Sequence, residues 1–576
     1  MHLPRFLFLF ILAVPIGSQL ATRNALQLWF LLNNDATSDQ SVQKSKALLD
    51  RAAAAGYTGV ILWDGAFDTL EDPNGSADDV YRLQSVIKHA ASKHFKILAT
   101  AVPASFALHP EWAEVSRVIG SQFRVNRAKR RLDFINTFRG LQNGDFESGR
   151  AGWFEMGDEP AVVDSQVAHG GRSSGVVKDA KGNGRFRQKL DLKPWRQYHL
   201  RLFFKTQDFH GFTQTEVLSK EGILPLLNSQ KTIFQATLSA DGTHDWTQVD
   251  YMFNSGEDTE AYLYFGVWGG SSGAIWFDDV SLEETALVYL LRSPRAPFRV
   301  YNPAHPETTY KEHAQYEDVA DPRMTEKRPF HDVYHAPPTV LLPPWTHLPD
   351  GLVVAMDYYA VFPIPQINGV SMCLTDASIL KWLKDDAKAI RKVLPAGAGI
   401  MMQYDEIRQM NSCAECRARH MTAGELLAWN VGQVIQMFRS SFPEGVLYTW
   451  NDMFDPYHNA VKNYFYVEGD LSGSWKALPA DVTIMNWNLD HLRSSLIWFS
   501  GSDPQQPVAH EQVIAGFYDR RDAAAEVTQE LQQARGIPGI RGVMYTTWVQ
   551  DYKQLENFAQ AARANWPAYV ASVSRN

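Results

Sequence analysis

The chain has 576 residues, 45% hydrophobic and 21% charged, the balance of a folded protein, so wholesale disorder is excluded. With 55 basic and 64 acidic residues the formal charge is −9, and no long basic run offers a phosphate backbone a partner, which argues against nucleic acid. Three cysteines rule out a disulfide-built scaffold, whereas aromatic residues at 12% supply flat rings for cores and for sugar faces alike.

Residues 1–21 place Arg5 ahead of an apolar run from Phe6 to Val14, followed by Pro15 and small residues. This is the shape of a secretory signal peptide, and the run is too short to cross a bilayer as an ordinary helix. No later apolar stretch reaches about 18 residues, so a secreted or periplasmic chain without a transmembrane anchor is expected.

Residues 22–140 read as the first part of a (β/α)8 barrel. Buried-strand patterns occupy 26–33 (LQLWFLLN), 58–64 (TGVILWD) and 96–102 (KILATAV). Gly56 sits where a left-handed helix cap belongs, and Val80, Leu83, Ile87 and Ala90 mark a helical face. Strand–helix–strand repetition predicts parallel pairing through crossover helices. Residues 141–285 change texture to alternating strands such as 198–204 (YHLRLFF) and 261–268 (AYLYFGVW), which predict an inserted antiparallel β-sandwich of jelly-roll type. Residues 286–350 are Pro-rich and read as an irregular connector.

From 351 to 576 the barrel pattern returns as its second part. Strands are expected at 352–359, 399–407, 445–452, 482–488, 513–519 and 542–548. Ile379, Leu383, Ala387, Ile390 and Leu394 form a helical stripe, and Thr422-Ala423-Gly424-Glu425 is a capping box. Nine candidate strands compete for eight slots, so one is accessory. The fold class expected is α/β, a TIM-type barrel interrupted by the inserted sandwich.

In such barrels chemistry sits at the C-terminal strand ends. Here those ends carry Trp63 and Asp64, Tyr358, Asp405 and Glu406, Trp450 and Asp452, Trp487 and Asn488, and Tyr545 and Trp548. A carboxylate in a half-buried mouth is costly unless paired or used. Any single acid could serve as a helix cap, but the recurrence from strand to strand argues for a substrate trough. Asp405 and Glu406 are adjacent and can face one substrate only if the strand has ended and the chain is turning; the apolar run stops at Met402. Burial and like-charge repulsion would then hold a proton on Glu406 as general acid, with Asp405 ionised.

The pair resembles the Asp-Glu pair of family 20 β-N-acetylhexosaminidases and their relatives, although their His-x-Gly-Gly-Asp-Glu signature is replaced by Met401-Met402-Gln403-Tyr404 ahead of the pair. The resemblance implies Glu406 as acid/base and Asp405 orienting the substrate's 2-acetamido group, which serves as nucleophile, with Trp450, Tyr545 and Trp548 in an aromatic sugar box. A two-carboxylate glycosidase, with Asp452 or Asp357 facing Glu406, is the alternative. A glycan-binding barrel without catalysis is another.

Asn143-Gly144-Asp145-Phe146-Glu147, His169-Gly170-Gly171-Arg172 and Trp276-Phe277-Asp278-Asp279 resemble carbohydrate-binding modules of families 4, 9, 16 and 22. That resemblance implies a glycan partner and a structural calcium at Glu147 with Asp278 or Asp279, whose hard oxygens suit the ion. Trp153, Phe212 and Trp268 are candidate platforms, and a packing domain without ligand is the plainer reading. No cofactor is expected for catalysis. Cys413 and Cys416 form a C-x2-C with Cys373 and His420 nearby, open to a disulfide or a zinc site.

Overall fold

The computed structural model describes residues 25–574 apart from 71–74, 106, 108, 156–159, 221–230, 326–333, 363–369 and 520. The leader-like residues 1–21 lie outside the described residues. Among the described residues no helix is long and apolar enough to cross a membrane.

Eight short parallel strands close into a barrel in chain order. They are β1 (Gln27–Asn33), β2 (Gly59–Trp63), β3 (Lys96–Ala101), β4 (Gly399–Met402), β5 (Leu447–Trp450), β6 (Val482–Asn486), β7 (Gln512–Ile514) and β8 (Ile540–Tyr545), with β8 returning to pair with β1. Side chains alternate across each strand. Trp29, Leu31, Ile61, Leu98, Met401, Tyr448, Met485, Val513 and Met544 fill the interior. Their neighbours Phe30, Val60, Ile97, Ile400, Leu447, Ile484 and Val543 face the helices. At Gly59 an added Cβ would lie 2.3 Å from the Trp29 ring, so the indole fills the space a side chain there would need.

The helices are α1 (Asp39–Ala54), α2 (Ala77–Ser92), α3 (Ala377–Val393), α4 (Ala423–Ser441), α5 (Leu492–Phe499), α6 (Ala523–Gln533) and α7 (Leu555–Val573). Thr422 and Glu425 form the expected capping box on α4. Gly56, just beyond α1, takes φ +81°, where L side chains are strained. Between β5 and β6 the chain uses 3-10 turns, Asp452–Phe454 and Ser474–Ala477, in place of a helix.

β3 pairs directly with β4, Leu98 opposite Gly399, so the strand expected at 352–359 does not belong to the barrel. Val353–Ala360 instead pairs antiparallel with Ser116–Asn126 and Arg299–Asn302, in a six-stranded sheet that also holds Arg131–Phe134, His305–Tyr310 and Val340–Leu341. Its apolar run satisfies either environment; its partners decide. The segment expected to be an irregular connector therefore supplies strands to this sheet.

A second, eight-stranded sheet is built on Gln197–Ser219 and Glu260–Thr285, which pair along their length. Gln197–Ser219 pairs with Gly242–Asn254 in its first half and Thr232–Thr237 in its second. Glu260–Thr285 likewise pairs with Gly184–Asp191 and then Ser174–Lys178. Phe146, Trp153, Phe186, Leu200, Phe253, Leu263 and Phe277 belong to its own apolar core.

Candidate functional site

Five barrel strands end around one cavity of about 190 Å3. Asp405 and Glu406 follow β4, Trp450 ends β5, Trp487 follows β6, Ala515 and Phe517 follow β7, and Thr546 and Trp548 follow β8. The alternation that points Met401 and Met544 inward carries the same lining one step beyond the strand ends.

The acidic pair reaches the cavity because β4 stops at Met402 and the chain turns: Glu406 has φ 45°, in the left-handed region that costs a non-glycine residue strain. Ser105 Oγ donates to the Gln403 carbonyl at 2.8 Å and to Asp405 Oδ1 at 3.2 Å. Trp450 Nε1 donates to Gln403 Oε1 at 2.5 Å, locking the indole against the same turn. Asp452 is fully buried and works from behind the wall. Its Oδ2 accepts from Glu406 N and Asn459 Nδ2, both at 2.8 Å, and its Oδ1 from Trp487 Nε1 at 3.2 Å. Asp452 thus fixes both the turn and a ring, and it does not line the cavity.

Glu406 Oε1 pairs with Arg408 Nη2 at 2.8 Å, and Arg408 is itself buried over the Phe465 ring. Asp405 is the carboxyl pushed up, to about 8, by burial first and then by the charges of Asp452 and Glu406. Burial likewise lifts Asp452 to about 7, with Glu406 adding to the rise and hydrogen bonds opposing it. His458 packs edge-on to Trp487 at 4.3 Å, and burial lowers its pKa.

Trp63 meets Trp548 edge-on at 5.2 Å, extending the aromatic wall behind the rim. Other expected trough residues lie elsewhere. Asp64 caps the turn Gly65–Thr69, accepting from Ala66 N and Ala36 N at 2.9 Å, so it joins two loops. Asn488 donates to the Tyr457 carbonyl and Ser495 Oγ, holding the loop after β6. Tyr545 points outward, stacked on Tyr518 and packed on Phe558 of α7, because alternation gives the inward position to Met544. Tyr358 is buried between the two antiparallel sheets, and Asp357 accepts from Gly120 N at 2.7 Å. Ser105 and Phe517 escaped the sequence reading; following β3 and β7 a few residues past their strand ends would have found them.

In the eight-stranded sheet Glu147 Oε1 accepts from Arg172 N and Ser173 N at 2.6 and 2.8 Å. Asp278 Oδ2 accepts from His169 N and Gly170 N, and Asp279 Oδ2 lies 2.6 Å from His169 Nδ1. All three carboxylates thus fasten the 169–173 loop through its own donors. Trp153 is a core residue, Phe212 is exposed, and Trp268 has the Arg185 guanidinium 5.1 Å above its ring. All three cysteines are free, with Cys373 Sγ 3.7 Å from both Cys413 and Cys416 Sγ, and His420 is exposed.

No protein-family model matches the chain, and no curated protein matches it. Among solved structures it is similar to a family 16 carbohydrate-binding module (module 2; 20% identity, 25% of this chain and 97% of that one, TM-score 0.20). It is also similar to a CBM4 structure (16%, 25% and 99%, TM-score 0.20). The CBM22-1 xylan-binding domain from Paenibacillus barcinonensis Xyn10C matches at 14% identity over 24% of this chain and 90% of that one, with TM-score 0.21. At such scores the likeness concerns a quarter of the chain and decides nothing about the barrel.

Proposed function

We propose that this chain is an exported glycoside hydrolase that seats one terminal β-linked sugar, of N-acetylhexosaminide type, in the tryptophan-walled cavity. The observation that carries the reading is the composition of that lining. Among the described residues its carboxyl groups are the adjacent Asp405 and Glu406, set among Trp450, Trp487 and Trp548. A cavity of about 190 Å3 is below the ~300–1,000 Å3 of pockets for drug-sized ligands, which suits a single ring better than a chain. Among the described residues no acid lines the far side of the cavity to act as a protein nucleophile, and Asp452 has both oxygens engaged behind the wall. The nucleophile is then the substrate's own acetamido oxygen.

In this reading the acetamido oxygen bonds to the anomeric carbon as the bond to the leaving oxygen breaks. Asp405, protonated at neutral pH, gives its proton to that oxygen. Water then opens the cyclic intermediate and returns a proton to Asp405, with net retention. Glu406, paired with Arg408 at 2.8 Å, faces the positive charge that develops on the sugar, an interaction stronger in the transition state than in the ground state. These roles reverse those implied by the family 20 resemblance. The eight-stranded sheet, folded over its own core, is read as a carbohydrate-binding sandwich, and the leader-like residues 1–21 support export.

The test is turnover of aryl β-glycosides with and without a 2-acetamido group. The wild type is expected to cleave only the acetamido series. Asp405→Asn should lose about 10²–10⁴ in kcat with a nitrophenyl leaving group and far less with a dinitrophenyl one, which needs no proton. If Glu406→Gln shows that leaving-group dependence instead, the roles revert. If sugars are retained but none is cleaved, the barrel only binds glycan.

A further inference from the structure

We propose that Glu114, Cys373, Cys413 and Cys416 hold one zinc ion in a closed, structural site behind the barrel mouth. The four are buried, at 0–1% exposure, and their ligand atoms lie within 4.8 Å of one another. Among the described residues they are the one such grouping of histidine, cysteine and acidic side chains. Three soft sulfurs and one hard oxygen suit zinc and do not suit calcium or magnesium.

The spacing is that of ligands around an ion. Cys373 Sγ lies 3.7 Å from both Cys413 Sγ and Cys416 Sγ. Tetrahedral bonds of about 2.3 Å put sulfurs about 3.8 Å apart, whereas a disulfide needs about 2.05 Å. The carboxylate is oriented as ligating carboxylates are. Glu114 Oε1 accepts from Ser412 N and Cys413 N, each at 2.8 Å, and from Ser412 Oγ at 3.1 Å. Its Oε2 is left 3.8 Å from Cys416 Sγ, on the sulfur side. Cys416 N donates to Cys413 Sγ at 3.3 Å, the amide-to-sulfur bond that steadies a thiolate. Three thiolates and a carboxylate around Zn2+ leave a charge of about −2. Arg295 is buried alongside, donating to the carbonyl of Ala113, next to Glu114, at 2.7 Å.

The site gathers segments far apart in the chain: Glu114 soon after β3, Cys373 just before α3, and the C-x2-C after β4. One ion would therefore join the two ends of the long excursion from the barrel to the loop that continues from Asp405, Glu406 and Arg408. The proposal is independent of the hydrolase reading.

The full chain, purified without chelator, is expected to carry about one zinc by elemental mass spectrometry. Stripping the zinc should lower Tm, and added Zn2+, not Mg2+, should restore it. Cys373→Ser should abolish zinc retention. Should that variant fail to fold, Glu114→Gln keeps the three sulfurs and should release zinc to a competing chelator at about tenfold lower concentration. Failure to take up zinc from excess Zn2+, unchanged retention in Glu114→Gln, or a disulfide between any two of the cysteines would overturn the proposal.

Discussion

At the scale of single residues, Asp405 couples function to stability. Its folded pKa of about 8 lies above the ordinary 3.8, so the folded state binds this proton more tightly than the unfolded state does. The stabilisation is complete below the ordinary pKa and is lost as pH rises through about 8. Asp405→Asn has no such loss, so its Tm advantage over wild type should widen between pH 4 and pH 9 in thermal melts. In the hydrolase reading, kcat/KM should also fall on the alkaline side with an apparent pKa near 8, belonging to Asp405 and Asp452 as a pair. Tyr358 has the opposite character. Its hydroxyl donates to Gln197 Oε1 at 2.6 Å and accepts from Leu287 N at 2.7 Å. Tyr358→Phe leaves both groups buried and unpaired, so about 1–3 kcal/mol of stability should go in denaturant titrations, with KM unchanged.

At the scale of elements, alternation along the strands was legible and its consequences at the ends only partly so. The stretch from Val543 to Trp548 shows why. Met544 faces the barrel interior and Tyr545 the helices, while Thr546 and Trp548 reach the cavity after the strand has ended. A run of polar and aromatic letters does not say where the regular pleat stops, so Tyr545 and Trp548 looked alike in sequence. They should separate in kinetics: Trp548→Ala is expected to raise KM about tenfold with little change in kcat, the signature of lost uniform binding. The β1–β2 contact carries a packing prediction. Gly59→Ala would press a methyl into the Trp29 ring, 2.3 Å away, and should cost at least about 1–3 kcal/mol in the same titrations.

At the scale of the molecule, the eight-stranded sheet meets the six-stranded sheet through specific polar contacts, yet among the described residues the cavity is lined by barrel loops. Thr137 Oγ1 bonds Glu284 at 2.5 Å, so the chain enters and leaves the eight-stranded sheet at one place. Replacing residues 138–283 with a short linker should keep turnover of small aryl glycosides within about threefold, abolish retention on insoluble polysaccharide, and lower Tm. The Tm should fall because Asn254, which donates to the Arg117 carbonyl, and Gln197, which accepts from Tyr358, depart with the sheet.

Local sequence made legible the eight barrel strands, the helices near Gly56, at 80–90, at 379–394 and after Thr422, the antiparallel texture between the barrel halves, and the turn that presents Asp405 and Glu406. All of these follow from local periodicity and from where apolar runs stop. Val353–Ala360 lies outside the barrel because of the strands it pairs with, which an apolar run does not name. Long-range folding also pairs Glu406 with Arg408, buries Asp405 beside Asp452, and brings Glu114 rather than His420 to the cysteines. Charge pairing and ligand geometry depend on atoms brought together by long-range folding, and no local pattern encodes that distance.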